Sequence, residues 1–193
     1  MKPRLIGQGF YTARQLKKIG FKSIGTNVLI SKRAVIHSPE KIEIGSNVRI
    51  DDFCTLSGNI KLGNHIHIAG YTSLYGNSGI VLEDFANISS NVRVYSETDD
   101  FSGNSLMGPC VPMKYRLQLH KSPVVLKKHS IIASTCVVLP GVTLGEGAAV
   151  GCFSLISTDC EPWKVYVGNP LRILKDRKKK ILELATQLEA EEL

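Results

Sequence analysis

The sequence predicts an all-β fold, a parallel β-helix of hexapeptide repeats with an inserted loop and a C-terminal α-helix. Three observations carry this. An aliphatic residue returns every sixth position, small and turn-forming residues fill fixed places between, and the period breaks once inside the chain and again near its end. The first run reads Ile24, Ile30, Ile36, then Ile44, Ile50, Leu56, then Leu62, Ile68, Leu74, then Leu82, Ile88, Val94. It resumes as Leu126, Ile132, Val138, Leu144, Val150, Ile156. All 18 positions are Leu, Ile or Val, although these types make up only 53 of the 193 residues. A six-residue period does not match the 3.6 of a helix. It fits a coil of three short strands, each turning one aliphatic inward, with coils stacked at about 4.8 Å.

The elements follow in order. Residues 1–22 form an N-terminal segment whose stretch Tyr11 to Ile19 reads as a short helix stopped by Gly20. Residues 23–170 hold the β-helix. Four residues after each aliphatic stands a small or modest side chain, such as Val28, Cys54, Thr72 or Ala148, and Gly, Asn, Asp and Ser crowd the corners. Residues 99–122 interrupt the repeat, and Phe101, Leu106, Met107, Val111, Met113, Tyr115 and Leu119 predict an ordered loop lying against the coil. Residues 171–193 read as a helix with Leu174, Ile181, Leu184 and Leu188 on one stripe and a basic first half.

Composition narrows the function. The mass is 21.2 kDa, 43% of residues are hydrophobic and the mean hydropathy is +0.02, which excludes a disordered chain. No apolar run approaches the ~18 residues of a membrane span. The stretch Met1–Gly9 lacks the apolar segment of a signal peptide, so a soluble, cytoplasmic protein is expected. Five cysteines with no CxxC spacing argue against a disulfide framework or a thiolate zinc site, and no metal is expected. Cys54, Cys136 and Cys160 fall on inward positions, Cys152 on a corner and Cys110 in the loop. A net charge of +7 calls for an anionic partner. No aromatic-rich surface accompanies it, so nucleic acid is not expected.

The hexads, the loop, the segment Leu139-Pro-Gly-Val-Thr-Leu-Gly-Glu-Gly147 and the later Val167-Gly-Asn-Pro170 together resemble the hexapeptide-repeat acyltransferases that use acetyl-CoA. Tyr95-Ser-Glu-Thr-Asp-Asp-Phe-Ser-Gly103 is most similar to members acting on sugars for bacterial surface polysaccharide (lipopolysaccharide among them), including nucleotide-linked amino sugars. The resemblance implies a left-handed coil, an unusual hand for parallel crossovers. It also implies a homotrimer with active sites between subunits. On the acetyl-CoA side it implies contacts from Ser134, Cys152, Ser157 and Thr158 to the pantetheine arm. Arg172 and Lys175 match positions that meet the adenosine 3′-phosphate, and Ile131 stands where relatives carry Trp.

On the acceptor side, Thr98-Asp99-Asp100-Phe101 takes the place of an Asn-His-Asp-Phe-like motif, so Asp99 replaces the usual histidine base. An ordinary Asp pKa near ~3.9 is poor for deprotonating a hydroxyl. A pair of carboxylates instead suits an amine, and the expected reaction is acetyl transfer to the amine of a nucleotide-linked amino sugar. Transfer to a sugar hydroxyl is the alternative. Asp99 and Asp100 are expected to position the acceptor, with His67 or His120 handling the proton. Two further readings compete: a three-histidine zinc anhydrase invited by His65 and His67, and a non-catalytic scaffold.

Overall fold

The computed structural model describes residues 9–192. Residues 1–8 of the expected N-terminal segment, and residue 193, lie outside them. The chain winds into a parallel β-solenoid of about seven turns with three faces. Each hexad aliphatic pairs with its equivalent one coil on. On the first face the order is Ile24, Ile44, Leu62, Leu82, Leu126, Leu144. On the second it is Ile30, Ile50, Ile68, Ile88, Ile132, Val150 and then Tyr166. On the third it is Ile36, Leu56, Leu74, Val94, Val138, Ile156. These side chains and the small inward residues make one continuous core, with only Ile24 and Ile36 of the first coil partly buried. Cys54, Cys136 and Cys160 are in it, and burial pushes the Cys54 thiol up to about 11, which leaves it inert as a nucleophile.

Corners demand left-handed backbone. Asn27, Asn47, His65, Phe85, His129 and Trp163 all have positive φ at the corner between the first and second faces. Their side chains stack along the axis: His65 on Phe85 with centroids 4.6 Å apart, and Phe85 on His129 at 5.0 Å. Glycine is required where one coil's corner meets the next. A Cβ on Gly145 would stand 2.7 Å from the backbone nitrogen of Pro162 and 2.8 Å from the carbonyl oxygen of Cys160. Gly145→Ala is expected to lower Tm by about 5 °C or more in a circular-dichroism melt. Gly9→Ala, with nothing within 4 Å, is expected to leave it unchanged.

The N-terminal helix α1 (Ala13–Ile19) forms as expected, closed by a capping box between Thr12 and Gln15 and ended by left-handed Gly20. The C-terminal expectation needs correction. Residues 172–176 are not helical: Arg172–Asp176 is a strand antiparallel to Lys164–Val167. The last coil leaves an open sheet edge, and pairing that edge outweighs the helical pattern after Gly168 turns the chain. Arg172 and Lys175 therefore sit on a strand rather than on a basic helix. The helix α2 (Lys180–Glu191) then runs back along the first corner. Arg177 Nη1 donates to the carbonyls of His129 and Gly147, and Glu192 meets Asn47 Nδ2 at 3.2 Å and His65 Nε2 at 3.1 Å.

The loop also departs from expectation. It is ordered at its base, where Glu97–Asp99 pairs antiparallel with Leu119–Lys121. Most of its apolar side chains do not pack on this chain's coil: Phe101, Leu106, Met107, Met113, Tyr115 and also Leu117 are exposed, Phe101 at 82%, whereas Val111 and Leu119 are half-buried. Six exposed apolar side chains on one excursion mark an interaction surface.

Candidate active site

Two places gather the chemistry, one along the corner between the second and third faces, the other at the loop base. The corner is a ladder. The amide of Tyr71 donates to Asp52, Asn91 to Gly70, Thr135 to Ser90 and Phe153 to Ser134, each bonding a carbonyl in the neighbouring coil. Phe53, Tyr71, Asn91, Thr135 and Phe153 hold the left-handed conformation. Along this line Ser134 and Cys152 stand on adjacent coils, so the structure brings these two expected pantetheine contacts together. Ser157 and Thr158 lie at the next corner, across the strand Leu155–Ile156, and both are exposed. Arg172 and Lys175 are exposed on the closing strand, opposite Val167 and Val165.

The loop leaves the corner between the third and first faces in the fourth coil. Buried Ser96 anchors it, donating to the Tyr75 carbonyl at 3.0 Å and accepting from the Ser78 amide at 2.9 Å. Asp99 accepts from Arg116 Nη2 at 2.9 Å and from the Gly108 amide at 3.1 Å. Arg116 holds that carboxyl below the usual carboxylate range. Asp100 is buried and accepts from the Ser102 amide at 2.9 Å and the Ser102 hydroxyl at 2.8 Å. Those bonds, with the charge of His120 behind them, keep it low as well. Both groups are anions at neutral pH. They suit the holding of a cationic or N–H-bearing acceptor rather than the removal of a proton from a hydroxyl.

The two histidines separate. His120 pairs across the loop base from Thr98 and acts electrostatically on Asp100. His67 lies on the second face, its Nε2 2.7 Å from Asp51 Oδ2. His65 is stacked in the other corner's ladder, so the two histidines invited into a zinc site do not converge.

Sequence reasoning missed Arg116, the partner that fixes Asp99. It also missed a cavity of about 710 Å³ at the lower end of the second corner, lined by Phe10, Arg33, Arg49, Asp52, Phe53 and Tyr71 among others. The signal was present in the hexad register. The residue just before each small inward position is the one that projects from the corner, and Phe53 and Tyr71 occupy that place before Cys54 and Thr72.

Comparison with known proteins identifies the chemistry. No family model matches the chain. A dTDP-4-amino-4,6-dideoxy-D-glucose acyltransferase of Escherichia coli is 46% identical over 173 residues, 88% of this chain and 90% of that protein. AntD, an N-acyltransferase of Bacillus cereus, superposes with a TM-score of 0.93 at 50% identity, over 95% of this chain and 98% of that one, in complex with dTDP-4-amino-4,6-dideoxyglucose and coenzyme A. AntD has also been solved with dTDP and 3-hydroxybutyryl-CoA. Its variants alter a serine and, ten positions later, an aspartate. A galactoside acetyltransferase bound to coenzyme A, 19% identical with a TM-score of 0.59 over 86% of this chain and 70% of that one, shares the fold. With this identity across nearly its whole length, the chain belongs to the hexapeptide-repeat, coenzyme A-dependent sugar acyltransferases, in the branch of enzymes for nucleotide-linked amino sugars.

Proposed function

We propose that this acyltransferase moves an acetyl group from acetyl-CoA to the amine of dTDP-4-amino-4,6-dideoxyglucose. The reaction would take place in the cytoplasm, in clefts between the subunits of a homotrimer, and would supply a sugar for surface polysaccharide, lipopolysaccharide included. The observation that carries the reading is the pair of carboxylates ionised at neutral pH, Asp99 and Asp100, where relatives acting on hydroxyls carry a base. It is supported by spacing: Ser89 and Asp99, and Ser90 and Asp100, both reproduce the ten-residue interval of the serine and aspartate varied in AntD.

Asp99 secures the loop through Arg116, and Asp100 accepts a hydrogen bond from the acceptor amine, aiming its lone pair at the thioester carbonyl. Attack forms the C–N bond, and collapse of the tetrahedral adduct breaks the C–S bond. His120 takes the proton shed by nitrogen and returns it to the departing CoA thiolate. His67, held by Asp51, stands outside this path. Ser134 and Cys152 line the pantetheine arm on one subunit's corner, with Ser157 and Thr158 meeting it from another surface. Arg172 and Lys175 take the 3′-phosphate.

The trimer is supported by topology. Ser89 and Ser90 lie on the second corner, whereas Asp99 and Asp100 lie beyond the strand Arg93–Tyr95. A loop from a neighbouring copy, using its exposed apolar side chains, unites the two.

The test is CoA release from acetyl-CoA, followed by chromatography. Addition of dTDP-4-amino-4,6-dideoxyglucose is expected to accelerate it, and acceptor-independent release alone would refute the reading. For the 3′-phosphate contact, Arg172→Ala is expected to raise KM for acetyl-CoA about tenfold while leaving that for 3′-dephospho-acetyl-CoA within twofold.

A further inference from the structure

We infer that the upper end of the coil, where the strand Arg172–Asp176 leads into α2, is a docking face for the anionic surface of a lipid bilayer. The inference is independent of the acceptor and the assembly proposed above. Residues 172–180 carry six basic side chains, Arg172, Lys175, Arg177, Lys178, Lys179 and Lys180. Against them stands one acid, Asp176, itself held by Lys164 at 2.6 Å. The fold uses two of the six. Arg177 Nη1 donates to the carbonyls of His129 and Gly147, and Lys179 Nζ lies 5.3 Å over the Trp163 ring. Arg172, Lys175, Lys178 and Lys180 are exposed and make no ion pair among the described residues. Arg172 and Lys175 are left to the 3′-phosphate. Lysines around the first turn of α2 work against the helix dipole, so local folding does not account for the others.

The charges are sorted by side. The strand closes the second face, antiparallel to Lys164–Val167, and Arg177 then fixes the start of α2 at the first corner. The exposed acids of this end, Asp159 and Glu161, instead flank Cys160, which bridges to Leu144 on the first face. Apolar content is what selects a bilayer over a soluble polyanion. Ile173 and Leu174 stand 46% and 51% exposed between Arg172 and Lys175. At a bilayer surface such side chains enter the boundary between headgroups and acyl chains, while the cations beside them meet lipid phosphates. A soluble polyanion would pair the cations and leave the aliphatic side chains in water.

The experiment is co-sedimentation of the full-length protein with vesicles of phosphatidylcholine, alone or mixed equally with phosphatidylglycerol. Binding is expected with the mixed vesicles only. It should fall about tenfold or more as ionic strength rises from about 0.1 M to about 1 M. Lys178→Gln/Lys180→Gln is expected to weaken it about tenfold, and Leu174→Ser about fivefold. Lys17→Gln/Lys18→Gln removes two exposed charges from α1, at the opposite end of the coil, and is expected to change it less than twofold. Melting temperatures of the variants, read by circular dichroism, are expected to match the parent's, which separates lost docking from lost fold. Failure of the parent protein to bind mixed vesicles would overturn the inference. So would a loss in the Lys17/Lys18 variant that the Lys178/Lys180 variant does not share. Binding that Leu174→Ser leaves unchanged and that heparin competes away would assign the face to a soluble polyanion, and overturn it too.

Discussion

Asp100→Asn is expected to lower kcat with dTDP-4-amino-4,6-dideoxyglucose about 100-fold, the scale of losing alignment of a reacting group, while KM for acetyl-CoA stays within twofold. The substitution keeps the size of the side chain and its bond to the Ser102 amide while removing the negative charge. A purely structural role for Asp100 would show as an altered melting temperature with near-normal turnover, so the two are read side by side. The pH dependence has a definite sign. The pKa of Asp100 is depressed by the Ser102 bonds and that of Asp99 by Arg116. Their stabilisation of the loop base is therefore full above the ordinary carboxylate value and is lost only as pH falls through the lower folded one. Neither carboxylate should contribute an acid limb to the rate profile between about pH 5 and 7. Such a limb, surviving in His120→Gln but abolished in Asp100→Asn, would show Asp100 titrating as a base.

Leu117→Asp is expected to convert the assembled protein to monomer and to reduce turnover to background without altering the far-ultraviolet dichroism. Leu117 is 70% exposed and belongs to a loop with six exposed apolar side chains. A carboxylate there places charge where the proposed trimer would cover a second copy's coil, and burying an unpaired charge outweighs one leucine's contribution. Sedimentation velocity reads the assembly and CoA release reads the turnover. An assembled, fully active Leu117→Asp would show that the loop neither joins subunits nor completes the site.

The fold was legible because inward residues are the most constrained part of a coil. Each hexad aliphatic from Ile24 to Ile156 found its partner in the register the period requires, and Cys54, Cys136 and Cys160 went inward with it. The errors came where tertiary pairing competes with local pattern. Arg172–Asp176 carries a helical stripe, but an unpaired sheet edge captured it. The sequence points the apolar loop residues at their own coil, yet most of them are exposed, because apolar character does not reveal which surface a side chain covers. The site was half legible. Asp99 and Asp100 stand out in the sequence as a departure from a motif, whereas nothing in it ranks His120 against His67. Topology separated them, since a face of the coil and the base of an insertion look alike in one dimension. Arg116 and the pairing of Arg33 with Asp52 are long-range contacts of charged residues, for which hexad phase holds no signal.

The most direct test of the account is a competition between amine and hydroxyl. Equal amounts of dTDP-4-amino-4,6-dideoxyglucose and dTDP-6-deoxyglucose are incubated with the protein and acetyl-CoA, and products are resolved by mass spectrometry. The account predicts a gain of one acetyl group on the amino sugar, with the hydroxyl sugar unchanged. Acetylation of the hydroxyl sugar at a comparable rate would contradict it, because the proposed path relies on an amine lone pair that attacks before His120 takes the proton, which a hydroxyl does not supply.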